Sequence, residues 1–165
     1  MAVRDVALAE KVSVGLVEQP YRVAGRRSPP PVARLDAAWV AVADRLAALE
    51  LRGLPLLVGG RSLGARVACR SADATAAVAV LCLAFPLQPR RRSGAAPSRL
   101  PELDAVAVPT LVVQGTRDPF GIPPGNAQRT VVEVPGDHSL KADLAAVSTA
   151  VRSWLADLLA GLESG

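Results

Sequence analysis

The chain has 165 residues, half of them hydrophobic, and a formal net charge of +4 from nineteen basic and fifteen acidic side chains. Its length and hydrophobicity exclude disorder along the whole chain, and they predict that residues 1–165 form a single domain with its own core. The charge excess is small and aromatic residues make up only 3% of the chain. The composition therefore offers no platform for stacking bases and predicts no nucleic-acid partner.

Five short runs are apolar throughout and rich in β-branched residues, a composition typical of strands that are covered on both faces. They are residues 12–17, 54–58, 77–85, 109–113 and 130–134. Apolar residues recur every three or four positions in residues 32–49 and 144–162, as on the buried face of a helix. Prolines at 29–31 precede the first of these helices, and Ser139 is a candidate N-cap for the second. Alternating strands and helices predict a three-layer α/β/α sandwich with a mostly parallel sheet.

Residues 86–104 interrupt this alternation with four prolines, a glycine and three consecutive arginines, Arg90, Arg91 and Arg92. These residues favour turns over helix or strand, so the segment is predicted to be an irregular, mobile and solvated excursion. A run of arginines is typical of a solvated loop. The alternative, nucleic-acid binding through the run, would weaken steeply as salt is added.

The two cysteines, Cys69 and Cys82, lie in apolar stretches without the spacing of a metal site, which predicts free, buried thiols. Charged residues interrupt the start of the chain before an apolar segment reaches the length of a signal peptide. The longest apolar run, residues 76–87, is shorter than the roughly 20 residues that cross a bilayer. The sequence predicts a soluble cytoplasmic protein with no membrane partner, and it implies no metal or organic cofactor.

A Gly-x-Ser-x-Gly motif, residues 60–64, follows the apolar run at 54–58 and precedes residues that suit a helix. In hydrolases this spacing places a serine on a sharp turn between strand and helix, where flanking glycines permit close packing of the backbone. The motif predicts that Ser62 is a nucleophile and that the amide of Leu63 faces the site where an oxyanion would form. The alternative is a tight turn whose serine only caps the helix.

A serine hydroxyl needs a base to remove its proton, and histidine is the usual base. The chain has one histidine, His138, in a loop between the run at 130–134 and the last predicted helix. That position is at the carboxyl end of a strand, on the same rim of the sheet as Ser62. The alternative is an ordinary exposed or capping histidine.

A carboxylate must hold the imidazole in the correct tautomer. Asp118 directly follows the run at 109–113, and it also suits a turn before Pro119. Asp137 is the competing candidate, although a residue adjacent to His138 in sequence usually points elsewhere. The order serine, aspartate, histidine is that of the α/β hydrolases, which favours Asp118.

Five segments of the chain carry a resemblance to known proteins: residues 18–27, 59–68, 82–89, 108–121 and 134–140. They resemble a small α/β-hydrolase family of actinobacterial proteins. The family is related to dienelactone-hydrolase-like enzymes and to the hydrolase-like domain of a eukaryotic histone-acetyltransferase complex subunit. The resemblance implies an α/β-hydrolase fold with Ser62 as nucleophile, Asp118 as acid and His138 as base. It implies no particular substrate, and some branches of such families are interaction scaffolds.

Relatives begin with additional strands, and the loop after one of them supplies a second oxyanion amide. The expectation is therefore that this chain is an N-terminally truncated form. Such a chain would have an exposed sheet edge that permits self-association, and loss of one oxyanion donor would lower turnover roughly 100- to 1000-fold.

The sequence predicts a serine hydrolase that acts on a small-molecule ester or thioester. The alternative is a catalytically impaired hydrolase-like scaffold or fragment. Arg22 lies in a loop on the rim of the predicted site and Arg61 lies within the turn, where they could bind an acidic substrate. Solvated salt bridges are the commoner role of such arginines. Phe120 is a candidate for lining the acyl pocket, and Phe85 suits either that pocket or the core.

Overall fold

The computed structural model describes residues 2–89 and 96–163. The helices are α1 (Ala2–Ala9), α2 (Pro20–Val23), α3 (Val32–Ala48), α4 (Leu63–Ser71), α5 (Leu100–Asp104) and α6 (Leu144–Glu163). The strands are β1 (Leu57–Arg61), β2 (Ala79–Leu83), β3 (Thr110–Gly115) and β4 (Arg129–Val134). The arginine run Arg90, Arg91 and Arg92 lies outside the described residues.

The strands form one parallel sheet in the order β1-β2-β3-β4. Helix α4 connects β1 to β2, and successive parallel strands require such crossovers. Because all four strands run the same way, the loops that follow them open onto one edge of the sheet. The residues after β1, β3 and β4 are therefore brought to a common rim.

Successive side chains of β2 enter two separate cores, one on each face of the sheet. Val80 and Cys82 pack on the side of α3, α4 and α5, while Leu81 packs on the side of α1 and α6. All three side chains are less than 10% exposed. The predicted three-layer sandwich is confirmed, and its sheet is parallel throughout the part of the chain that the structure describes.

The strand predicted at residues 12–17 is wrong. These residues form neither helix nor strand, and Leu16 is 64% exposed. An apolar run becomes a strand only where a neighbouring strand bonds its backbone, and the described residues give this run no such neighbour. Among the described residues, β1 pairs with β2 and with no other strand. Self-association through this exposed edge stays a prediction.

The prediction of an irregular, solvated excursion at 86–104 is wrong where residues 100–104 form α5 and where side chains enter the core, whereas residues 86–89 and 96–99 form neither helix nor strand. Leu87 is buried, and α5 inserts Leu103 into the core at 2% exposure. Glu102 of α5 accepts a hydrogen bond of 2.8 Å from Arg66 of α4. Apolar side chains and an ion pair thus anchor a segment whose prolines indicated only turns. Residues 90–95 of the segment lie outside the described residues.

The cap of the last helix is also not where the sequence indicated. The side chain of Asp143 accepts a hydrogen bond of 2.8 Å from the amide of Ala146, which is the contact of an N-cap residue. Ser139 lies earlier, in the loop before α6. None of the described helices, α6 included, has the length and apolar character needed to cross a membrane.

The two buried thiols, predicted to be free, lie on α4 and β2 with their sulfur atoms 3.3 Å apart. Contact with Cys69 and burial raise the pKa of Cys82 well above its ordinary value of 9.0. In the unfolded chain this thiol ionises near its ordinary pKa, whereas in the folded protein it stays protonated. Its contribution to the free energy of unfolding is therefore complete below pH 9 and is lost above it, by about 1.4 kcal/mol per pH unit.

We expect Cys82→Ala to flatten the fall in the free energy of unfolding between pH 9 and 10.5, measured by urea denaturation. Charged groups that do not contact Cys82 are the same in both proteins, so the difference between the two slopes isolates the pair of contacting thiols. Equal slopes would contradict the raised pKa of Cys82.

Candidate active site

Ser62 occupies a strained turn between β1 and α4. Its φ of 54° and ψ of −111° are unusual for a residue with a side chain. The amide of Ser62 donates a hydrogen bond of 2.9 Å to the carbonyl oxygen of Leu83, which ties the turn to β2. The hydroxyl makes no capping bond to α4. The alternative in which Ser62 is only a helix cap is therefore wrong.

The glycines of the motif have different structural roles. β1 begins three residues later than the predicted run and continues through Gly60 and Arg61. A Cβ atom on Gly60 would lie 2.7 Å from the carbonyl oxygen of Gly64, whereas a Cβ on Gly64 would meet no atom within 4 Å. Only Gly60 is required by the close approach of strand and helix.

We expect Gly60→Ala to lower the free energy of unfolding by about 2 kcal/mol or more, because the added methyl group forces the turn apart. Gly64→Ala is the matched control, and we expect it to raise that free energy by about 0.5–1 kcal/mol because alanine favours a helix. Urea denaturation measures both. Equal effects of the two substitutions would contradict this assignment.

His138 projects from the loop after β4 toward Ser62. Its Nε2 lies 2.8 Å from the Oγ of Ser62, and its Nδ1 lies 2.8 Å from Oδ2 of Asp118. The loop is fixed to the end of β3 by a hydrogen bond of 2.8 Å from the amide of Arg117 to the carbonyl of Gly136. Two loops from neighbouring strands thus hold the imidazole between hydroxyl and carboxylate.

Asp118, rather than Asp137, contacts the imidazole. The side chain of Asp118 is fully buried, and its Oδ1 also accepts a hydrogen bond of 2.9 Å from the amide of Phe120. It therefore forms the predicted turn and contacts the histidine as well. The side chain of Asp137 accepts instead from the amide of Ser139, and hydrogen bonds from Ser139 lower the pKa of Asp137.

The two hydrogen bonds of His138 decide which of its ring nitrogens carries the proton. A carboxylate can only accept, so Nδ1 of His138 carries the proton that is donated to Asp118. In the neutral ring, Nε2 then has a lone pair that can accept the proton of the Ser62 hydroxyl. The arrangement can make the serine nucleophilic.

The family described as "Alpha/beta hydrolase domain" matches residues 5–154 of the chain. The chain belongs to the alpha/beta hydrolase family. Membership agrees with the parallel sheet and with the strand, turn and helix around Ser62. No curated protein matched the chain.

Solved structures of alpha/beta hydrolases share the fold. A member of the superfamily from Xanthomonas campestris pv. campestris superposes with a TM-score of 0.67 at 22% identity, covering 94% of this chain and 88% of that one. A serine hydrolase without a lid from Xanthomonas campestris superposes with a TM-score of 0.58 at 23% identity, covering 78% of this chain and 58% of that one. A monoacylglycerol lipase from Paleococcus ferrophilus superposes with a TM-score of 0.56 at 15% identity, covering 78% of this chain and 76% of that one. At these identities the likeness establishes the fold alone.

Gln114, the penultimate residue of β3, is a residue of this hydrolase domain that the sequence reasoning missed. It is completely buried. Its Nε2 donates to Oδ2 of Asp118 at 2.8 Å, and it lies 2.9 Å from the carbonyl oxygen of Gly121 and 3.1 Å from that of Phe85. The available signal was a polar residue that ends an apolar strand four positions before Asp118. Three acceptors around Nε2 make the donor end of the amide indispensable there.

We expect Gln114→Glu to lower the free energy of unfolding by about 2–4 kcal/mol at neutral pH, because it places a buried carboxylate beside Asp118 and two carbonyl oxygens. Burial among these oxygens raises the pKa of the new carboxyl above the ordinary glutamate value of about 4.3. The part of the cost that comes from ionisation is therefore absent below about pH 4 and grows as the pH rises.

Denaturation of both proteins from pH 4 to 8 measures this difference. Gln128→Glu, at an exposed position, is the control and should cost less than about 0.5 kcal/mol at every pH. A difference independent of pH at position 114 would contradict the proposed environment of the amide.

The predicted substrate-binding residues lie in two places, with Arg22 and Arg61 at a cavity and Phe120 against the imidazole. Arg22 and Arg61 line an open cavity of about 470 Å³ that also exposes Ser62. Phe120 packs edge-on against the ring of His138, with ring centroids 4.6 Å apart. Phe85 is fully buried in the core, which decides its role in favour of packing.

Proposed function

We propose that this protein is a serine hydrolase that cleaves a carboxylic ester or thioester. The observation that carries the proposal is the continuous hydrogen-bonded chain from Ser62 through His138 to Asp118, with both contacts at 2.8 Å. A serine that only closed a turn would need neither the imidazole nor the buried carboxylate behind it.

In the proposed reaction, His138 accepts the proton of Ser62 as the Oγ attacks the substrate carbonyl carbon. Asp118 holds the ring and stabilises the imidazolium that forms. The amide of Leu63 is among the first of α4 and has no carbonyl partner within the helix, so it can donate to the oxyanion. The imidazolium then protonates the leaving alcohol or thiol, and water releases the acyl group by the same steps.

The prediction of an ester or thioester substrate follows from this chemistry and not from the structural neighbours. An activated serine hydroxyl attacks acyl carbonyls, and alcohols and thiols are leaving groups that an imidazolium can protonate. We further propose, from the resemblance of its sequence segments, that the chain is a member of the small actinobacterial group. We likewise propose that residues 1–165 form a single domain.

Covalent labelling tests the proposal. A fluorophosphonate reacts with a serine only when a base activates it, and intact-mass measurement counts the adducts. We expect one adduct on the parent chain, none on Ser62→Ala and none on His138→Ala. Ser148→Ala, which removes a hydroxyl on the exposed side of α6, is the matched control and should retain the adduct.

The result that overturns the proposal is a folded parent protein with no adduct. Circular dichroism and a cooperative unfolding transition establish that each variant is folded before it is labelled. An unreactive but folded chain would favour the impaired scaffold in place of the enzyme.

A further inference from the structure

The cavity beside the candidate nucleophile is strongly cationic. Its lining includes Arg22, Arg27, Arg61, Glu18, Tyr21 and Ser62. Three arginines against one glutamate leave this wall with two net positive charges. We call the three arginine side chains and the space between them the arginine pocket.

The arginines of the pocket have no carboxylate partner among the residues that the structure describes. Elsewhere, arginines that are less exposed have such partners: the partly buried Arg70 binds Asp36 at 2.7 Å and the buried Arg129 binds Asp104 at 3.0 Å. Ion pairing within the loops was the commoner role predicted for Arg22 and Arg61, and the described residues provide none. All three arginines are exposed residues that line the cavity.

Arg61 connects the pocket to the reacting groups. Its Nη2 donates a hydrogen bond of 3.1 Å to the backbone carbonyl of His138, and it precedes Ser62 in the chain. The guanidinium group is thereby tied to the backbone of the loop that carries the imidazole, and this hydrogen bond uses only one of its N–H groups. Arg22 lies against the ring of Tyr21, with its Cζ 5.5 Å from the ring centroid, which restricts its motion.

The chemistry of an unpaired guanidinium group defines what such a pocket binds. Its planar N–H groups match the oxygens of a carboxylate or a phosphate and bind them in pairs. Several arginines in one cavity also attract an anion before it makes contact, and this attraction weakens with salt. A neutral acyl chain would gain nothing from such a wall.

We infer that the substrate carries an anionic oxygen group, a carboxylate or a phosphate, in addition to the ester or thioester bond. The arginine pocket binds this group and so directs the carbonyl toward Ser62. The inference rests on the proposed function, since it names the substrate class of the same site.

Paired substrates test the inference. One is the 4-nitrophenyl monoester of glutarate, which has a free carboxylate, and the other is its methyl ester, which is neutral and nearly the same length. We expect kcat/KM to be at least about tenfold higher for the charged substrate in low salt, and the preference to shrink as salt is added. Glutarate and inorganic phosphate, each tested as a competitive inhibitor, distinguish the carboxylate from the phosphate.

Variants assign the preference to the pocket. In the double variant Arg22→Gln, Arg27→Gln, the ratio of the two kcat/KM values should fall to about one, with the change mainly in KM for the charged substrate. Arg45→Gln, on the exposed side of α3, is the matched control and should keep the ratio. A parent enzyme that hydrolyses both substrates equally well overturns the inference and leaves the proposed function standing.

A binding measurement separates failure of the inference from failure of the proposed function. If neither substrate is hydrolysed and Ser62 takes no fluorophosphonate, calorimetry with glutarate and with phosphate still tests the pocket. Binding that is lost in the double variant supports an anion site. Absence of binding to the parent protein overturns it.

Discussion

Ser62→Ala is expected to lower kcat for ester hydrolysis by about 10⁶-fold, and adding His138→Ala to that variant is expected to cost almost nothing more. The two residues act as one unit because every proton transfer by the imidazole, which lies 2.8 Å from the hydroxyl, belongs to forming or releasing the acyl group on Ser62. Once the hydroxyl is gone, the base has no proton to accept. Kinetics of 4-nitrophenyl ester hydrolysis by the parent, both single variants and the double variant measure the coupling.

Ser148→Ala is the control for these kinetics and should keep kcat within about twofold, since its hydroxyl bonds only a carbonyl of its own helix. Additive losses, in which the double variant is slower than either single variant by a further large factor, would show that Ser62 and His138 act independently. That result would contradict the proposed proton transfer.

Asp118→Asn is expected to lower kcat by about 10⁴-fold, while Asp137→Asn should change it by less than about threefold. Asparagine has nearly the same shape as aspartate, but its amide group can donate a hydrogen bond to Nδ1. The imidazole would then carry its proton on Nε2, where it can no longer accept the proton of Ser62. The same assay measures both variants.

The comparison decides between the two carboxylates that the sequence left open. The side chain of Asp118 is buried against the imidazole, whereas Asp137 is occupied by the amide of Ser139. Urea denaturation of both variants separates a loss of activity from a loss of folding. A larger effect from Asp137→Asn would overturn the assignment of the acid.

The sequence was sufficient for the features that depend on near neighbours in the chain. The motif around Ser62 predicted a turn between strand and helix because glycines at that spacing permit the close backbone packing that such a turn requires. Apolar runs predicted all four strands of the sheet, with ends displaced by up to three residues. Alternation of strands with helices then predicted the parallel topology and the common rim where the polar residues meet.

Predictions that depended on a distant partner were the ones that needed the structure. Residues 12–17 have the composition of a strand but no neighbouring strand among the described residues, so composition alone could not decide their conformation. Likewise, α5 forms within a proline-rich segment because Leu103 has a core to enter and Glu102 has Arg66 to bind. Local propensity is weaker than such tertiary contacts.

For the candidate site, the sequence by itself identified the serine, the histidine and two possible carboxylates, because each carries its chemistry in its residue type. Only the tertiary structure decided which carboxylate meets the imidazole, that Gln114 donates to that carboxylate, and that the arginines of the pocket have no acidic partner in the described chain. Ser62 and His138 are 76 positions apart, and Asp118 and His138 are 20 apart. Hydrogen bonds require contact within about 3 Å, and folding, not sequence spacing, brings such residues to that distance.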